Sequence, residues 1–203
     1  MINIDYHKIA KADDYYSKKG YKRVEAPWWV SQEIANLTKP NSNEDYLIEC
    51  NKKVLVASGE QSFLYMVNKG RLVEGQYFTT TPCFRNESIG ILHKKCFLKT
   101  ELIKTDKVNE KELKKMINIC YKFFLNYFNK NEVYIMETSK LSYDIELKIK
   151  KDNKEVNIEL GSYGIRSCEF LEWIYGTGCA EPRLSRAIKI KENIGNGLNF
   201  KKF

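Results

Sequence analysis

Phe84-Arg85-Asn86-Glu87 is followed by His93, Phe97 and Glu101. The stretch reads F-R-x-E, a short loop, then H-x3-F-x3-E. An Arg and a Glu with one residue between them at a strand end can project from the same face of that strand. A hairpin would bring an aromatic ring and a second carboxylate back beside them. Together this set can hold a triphosphate, a purine and an amino group in one place. A lone R-x-E would be no more than a surface ion pair. The His, Phe and Glu that follow in register give it chemical meaning.

Further along, Gly176-Thr177-Gly178-Cys179-Ala180-Glu181-Pro182-Arg183-Leu184 follows an apolar run and opens onto a helical pattern. Glycines there permit close approach of the backbone to a ligand, and a helix N-terminus favours phosphate. Taken alone, the glycines are equally compatible with simple turn chemistry. Glu159-Leu160-Gly161-Ser162 offers hard oxygen donors, and Ser58-Gly59-Glu60 offers another carboxylate.

These residues need a scaffold, and its outline is legible. Residues 6–19 show helical spacing of Tyr6, Ile9, Ala10, Asp13 and Tyr16, with a stop near Gly20. Tyr21 to Ala26 reads as a strand ending at Pro27, and 38–46 as a loop. Val54-Leu55-Val56 reads as a buried strand and Gln61 to Asn68 as a helix. Gln76 to Arg85 and Lys95 to Lys104 read as the two arms of a hairpin. Asn109 with Glu112 resembles a capping box. The helix it opens carries Leu113, Met116, Ile117, Cys120, Phe124 and Phe128 on one face, an arrangement that spells core. Strands are expected at 132–138, 143–150, 155–160 and 168–175, with Asp152-Asn153 as a hairpin turn. Glu181 to Ile190 is the last expected helix, with Pro182 early in it. Residues 193–203 read as a short basic tail. Antiparallel strands with helices segregated from them predict one α+β domain over 1–203.

Composition sets the class. The 203 residues are 43% hydrophobic and 30% charged, which suits a single folded domain and not a disordered chain. No run has the length of a membrane span. Met1-Ile2-Asn3-Ile4-Asp5 lacks the blocks of a signal peptide, so a cytoplasmic protein is expected. Six cysteines form no CxxC pair and read as buried reduced thiols. A zinc site would have to use Cys168 with His93 or another cysteine, without a ligand spacing to mark it. The net charge of +8 suits an anionic partner such as ATP or RNA.

Read together, these segments resemble the catalytic core of the class II aminoacyl-tRNA synthetases. Gly20 to Trp29 is similar to that family's first motif, a helix and strand ending in G-φ-x-x-φ-x-x-P-φ-φ. The resemblance implies a homodimer interface there, with Trp28 and Trp29 as anchors. The stretch from Phe84 to Glu101 resembles the second motif. By that resemblance Arg85 grips the α-phosphate of ATP and the substrate carboxylate. Glu87 accepts from the adenine amino group, Phe97 stacks on the ring, His93 meets the outer phosphates, and Glu101 lies on the amino-acid side. Gly176 to Leu184 resembles the third motif, with Gly176 and Gly178 against the nucleotide and Arg183 on the γ-phosphate. Glu159 and Ser162 resemble the element that helps hold Mg2+. Ser58-Gly59-Glu60 resembles the T-x-E element of the seryl, threonyl and prolyl subgroup, in which the Glu pairs with the substrate's ammonium group. Here Ser stands in place of Thr.

The subgroup stays open. Tyr143-Asp144-Ile145-Glu146, Pro82 to Arg85 and Gly176 to Ala180 look seryl-like. Glu159 to Arg166 looks like the aspartyl enzymes and asparagine synthetase A, in which an Arg at the place of Arg166 binds a side-chain carboxylate. Otherwise Arg166 is a structural ion-pair partner. The chain reads as a stripped core without an anticodon-binding domain. The implied activity is an AMP-forming ligase using ATP and Mg2+, with an amino acid as substrate. The acyl group would pass to a tRNA acceptor end, a carrier protein or another acceptor. The alternative is a non-catalytic paralog serving as a regulatory or accessory subunit.

Overall fold

The strand runs that carry the candidate residues alternate in character, and alternation gives a sheet two unlike faces. A computed structural model of the chain describes residues 3–39, 47–51, 53–86, 90, 92, 94–151 and 154–195. In it, β1 (Lys22–Arg23), β5 (Gln76–Phe84), β6 (Cys96–Lys104), β7 (Val133–Ser139), β8 (Ser142–Lys151), β9 (Lys154–Cys168) and β10 (Leu171–Glu181) form one sheet. Its order is β1-β5-β6-β10-β9-β8-β7. β1 pairs with β5 in parallel, and the other pairings are antiparallel. A second, three-stranded sheet has the order β2 (Trp29–Val30), β4 (Lys53–Leu55), β3 (Ile48–Cys50). The architecture is α+β, a mostly antiparallel sheet flanked by helices.

One face of the large sheet lies under α1 (Tyr6–Lys18), α4 (Glu110–Phe124) and α5 (Arg183–Gly195). It contributes Phe78, Leu102, Ile145, Leu147, Ile158, Tyr163 and Ile174 to the main core. The other face carries α3 (Gly59–Asn68), α2 (Gln32–Asn36) and the small sheet over Tyr77, Ile103 and Trp173. Most of the charged side chains of the sheet lie on the rest of that second face.

Local chemistry sets the helix ends. Asp5 caps α1 by accepting from the amides of His7 at 3.0 Å and Lys8 at 3.3 Å. Gly20, just past the C-terminal end, has φ +87°, a conformation that glycine adopts readily. Asn109 caps α4 through the Glu112 amide at 3.0 Å. The reciprocal half of the expected capping box is missing, because Glu112 turns to Lys115 and Lys104 instead. α5 starts where the Glu181 carboxylate accepts from both the amide and the hydroxyl of Ser185, each at 3.1 Å.

Several boundaries move. The expected strand over 21–26 is ordered as a strand only at Lys22–Arg23. β9 does not end at 160 but runs on to Cys168, and the strand expected at 168–175 lies at Leu171–Glu181. Pairing explains this: residues 163–168 of β9 lie against 171–176 of β10 in an unbroken ladder. The last helix starts at Arg183, two residues later than expected, and continues to Gly195. The expected hairpin turn at Asp152-Asn153, most of the 38–46 loop, and 196–203 of the tail lie outside the described residues. No helix among the described residues is long and apolar enough to cross a membrane.

Candidate active site

The polar face of the sheet collects side chains from five strands. β5 brings Arg85 to its end, and β6 presents Phe97, Lys99 and Glu101 on one side. Arg85, Phe97, Ala180 and Arg183 line one small cleft together with Leu92 and Lys94. Arg85 and Phe97 face each other across the β5–β6 hairpin, whose register pairs Cys83 with Phe97. The Arg85 guanidinium sits 4.9 Å from the centre of the Phe97 ring, and its Nε donates to the Ala57 carbonyl at 3.0 Å. Arg183 arrives from the first turn of α5. Two guanidinium groups and an aromatic ring thus meet in one recess, a set that suits a phosphorylated ring compound. Glu87 and His93 lie outside the described residues.

Deeper on the same face two ion pairs fill the floor. Glu60 is 5% exposed. Its Oε2 accepts from Arg166 at 2.7 Å, and its Oε1 accepts from the Trp173 indole at 2.7 Å. Burial pushes the Glu60 carboxyl up, and Arg166 and Trp173 pull it back only in part. Arg166 also stacks on Tyr175 with 4.2 Å to the ring centre. Glu60, which the resemblance pairs with the substrate's ammonium group, is a buried carboxylate with both oxygens engaged by the protein. Arg166 in turn spends one of its donors on Glu60.

Glu101 is held as firmly. One oxygen accepts from the Gly59 amide at the start of α3, where a carboxylate is favoured by the helix field. The other accepts from Lys99 at 2.6 Å. Gly59 lets the helix start approach closely. A Cβ would stand 3.1 Å from Glu101 Oε2, 3.1 Å from Thr81 Oγ1 and 3.0 Å from Thr79 Cγ2.

At the opposite side of the floor, β8 and β9 place Asp144 beside Ser162 and Glu146 beside Glu159. Burial raises the Asp144 carboxyl, and the charges of Glu159 and Glu146 raise it further; Ser162 and Arg183 work against them. Glu159 Oε1 accepts from Arg183 at 2.8 Å. Among the described residues no group of three or more His, Cys, Asp or Glu could hold a metal ion. The donor set is nonetheless all oxygen, with crowded carboxylates. It fits a cation that takes one or two carboxylates and completes its shell with phosphate oxygens and water, as Mg2+ does.

The glycines of the third motif have a different setting from the turn that the sequence suggests. Gly176 and Gly178 lie inside β10, with a register shift between Thr177 and Cys179. A Cβ on Gly176 would be 2.7 Å from Met116 Sδ and 2.8 Å from Tyr163 Cδ1. On Gly178 it would be 2.6 Å from Tyr16 Cε2. Their missing side chains make room for α1, α4 and a core tyrosine. Tyr16 then donates its hydroxyl to the Gly178 carbonyl at 2.9 Å.

Three residues of the site escaped the reading of the sequence. Trp173 holds Glu60, Lys99 holds Glu101, and Lys94 lines the cleft. Lys99 had a local signal: it lies two positions from both Phe97 and Glu101 and so shares their face. Trp173 had none, because its partner is 113 positions away.

No protein-family model matches the sequence, and no curated protein matches it. Solved structures do. The seryl-tRNA synthetase of Pyrococcus horikoshii, solved with ATP, has a TM-score of 0.68 at 18% identity, over 87% of this chain and 48% of that one. The cytoplasmic serine–tRNA ligase of Naegleria fowleri, solved with AMP, gives 0.64 at 18% identity, over 90% and 47%. The pyrrolysyl-tRNA synthetase of Desulfitobacterium hafniense gives 0.66 at 18%, over 93% and 70%. The chain spans about half the length of the two seryl enzymes. Seven strands in this order, with helices packed on both faces and a polar floor beside α3, therefore have the catalytic-core fold of the class II aminoacyl-tRNA synthetases.

Proposed function

We propose that the chain activates the carboxylate of an amino acid with ATP, forming an aminoacyl-adenylate and releasing pyrophosphate, and then passes the acyl group to an acceptor. The observation that carries this reading is the meeting of Arg85, Phe97 and Arg183 in one cleft on the polar face. Fold likeness alone would not carry it, since one fold hosts many functions.

In this reading Phe97 stacks on adenine and Arg85 spans the α-phosphate and the substrate carboxylate. Arg183, released from Glu159, takes the γ-phosphate. Glu87 and His93 join them on the strength of their sequence positions, and Gly176 and Gly178, packed against Met116, Tyr163 and Tyr16, shape β10 behind the cleft. Glu159 and Ser162, with Asp144 adjacent, would hold Mg2+, whose charge offsets that of the phosphates. Glu101, Glu60 and Arg166 form the amino-acid half. Because Glu60 is engaged on both oxygens, its part is to set Arg166 in place. The protein's contribution is positioning and charge neutralisation; the reaction needs no nucleophile from the chain. The acceptor is a tRNA end, a carrier-protein arm or another amine or hydroxyl. Trp28 and Trp29, 57% and 41% exposed, are proposed anchors of a homodimer, which sedimentation of the purified protein would test.

ATP–pyrophosphate exchange against a pool of amino acids is the direct test. Exchange that disappears in Arg85→Ala and Arg183→Ala, with the fold intact, is the expected result. No exchange with any amino acid, together with no thermal shift on adding ATP, would sink the reading in favour of a non-catalytic paralog.

A further inference from the structure

We propose that Lys99 is a catalytic residue of this site, a cation on the α-phosphate at the junction of nucleotide and amino acid. The proposal rests on the activation reading above. Lys99 stands in the middle strand of the polar floor. In register its neighbours are Thr81 on β5 and Ala180 on β10. Along β6 it lies between Phe97, which lines the nucleotide cleft, and Glu101, which belongs to the inner half. A group bridging the two halves must pass over it.

Its setting is that of an aimed charge. The side chain is 14% exposed. The ammonium donates to Glu101 Oε1 at 2.6 Å, and Glu101 is itself tied to the Gly59 amide. Among the described residues one of its three N–H donors is used, on Glu101. Ala180, on the cleft side, has only a methyl group and lines the cleft. Thr81, on the other side, is fully buried, and its hydroxyl has no partner among the described residues. Apolar side chains often replace a buried ion pair without loss of stability, so the pair with Glu101 is a weak reason by itself for a lysine here.

The chemistry balances without a proton from Lys99. A carboxylate oxygen of the amino acid forms a bond to the α-phosphorus. The bond from that phosphorus to the bridging oxygen of the β-phosphate breaks, and its electron pair leaves with pyrophosphate. Nothing is oxidised or reduced. Two anions are pressed together as the bond forms, and the fixed ammonium offsets the charge gathering on the α-phosphate oxygens.

The test compares adenosine with AMP, so it needs no knowledge of the amino acid. Lys99→Gln keeps a donor toward Glu101 and removes the charge; Lys99→Arg keeps the charge; Lys99→Met is a second neutral variant should Gln disturb the fold. Binding to the purified full chain is read by calorimetry. The expected result is that Lys99→Gln weakens AMP by about tenfold while adenosine stays within about twofold, and that Lys99→Arg recovers most of the loss. Unchanged AMP binding in both neutral variants would overturn the proposal. So would equal weakening of AMP and adenosine, which is the signature of a residue that only holds Glu101. Failure of the unaltered protein to bind adenosine, AMP or ATP would overturn the activation reading itself and not the placement of Lys99 alone.

Discussion

The two faces of the large sheet are made from the same strands and do opposite work. Under α1, α4 and α5 the face is apolar, and glycines in β10 are recessed to admit Tyr16, Tyr163 and Met116. On the other face alternate residues of those strands include Lys99, Glu101, Asp144 and Arg166, with Lys99, Glu101 and Arg166 held by one another or by the start of α3. Every residue on one side is one position from a residue on the other. A slip of one residue would put the arginines in the core and the core in water. Burial of the apolar face thereby fixes the register on which the geometry of the polar face depends.

That division of labour can be broken in either direction. The largest effect belongs to the polar face. Arg85→Ala should cut the exchange rate by roughly 10²–10³-fold, as loss of a well-placed charge donor does, while the melting temperature barely moves. An unchanged rate would mean that the polar face is not where the chemistry happens.

Gly176→Ala and Gly178→Ala should do the reverse. Each sets a methyl group inside contact distance of Met116, Tyr163 or Tyr16 and should cost about 1–3 kcal/mol by overpacking, read by denaturant melts. At temperatures where the variants are folded, the thermal shift with ATP should persist. Stability equal to that of the unaltered chain would deny the helix face its role.

Trp173→Phe tests the seam between the faces. It removes the indole donor to Glu60 and leaves a buried carboxylate oxygen short of one bond, at a cost of about 1–2 kcal/mol. A second arm sharpens it: Trp173→Phe combined with Glu60→Gln should lose less than the sum of the two single variants. Full additivity would mean that the two side chains do not act together.

The smallest effect is pH-dependent. The Asp144 carboxyl is raised by burial and by Glu159 and Glu146. A raised carboxyl binds its proton more tightly in the folded state, so its contribution is present at low pH and is lost as pH rises through the folded value. Asp144→Asn should therefore raise the melting temperature at pH 7.5. The gain should vanish below the usual carboxyl value of 3.8. A gain that persists at pH 3 would point to packing and not to charge.

What could be read without the fold was what local spacing encodes. The extent of α1, the arms of the 76–104 hairpin and the Asn109 cap depend on residues within a few positions of one another, and each is found close to its expected place. The hairpin alone brings Arg85 and Phe97 together, so half of the candidate cleft was legible. The apolar strand before the glycine run was legible as well. The continuation of that strand through Gly176 and Gly178 was not, because glycine in a sequence marks turns, and here the reason for it is the bulk of Tyr16 on another element.

The amino-acid sequence by itself determined the alternation that separates a core face from a polar face, and the order in which the charged residues arrive along the chain. The tertiary structure alone decided which of them meet. Glu60 and Arg166 are 106 positions apart and become partners because β6, β10 and β9 are neighbours in the sheet and α3 lies over them. Local periodicity carries no information about strand order, since a strand presents the same alternating face whichever neighbour it acquires. Burial beneath α3 then turned an ordinary glutamate into one half of a buried pair.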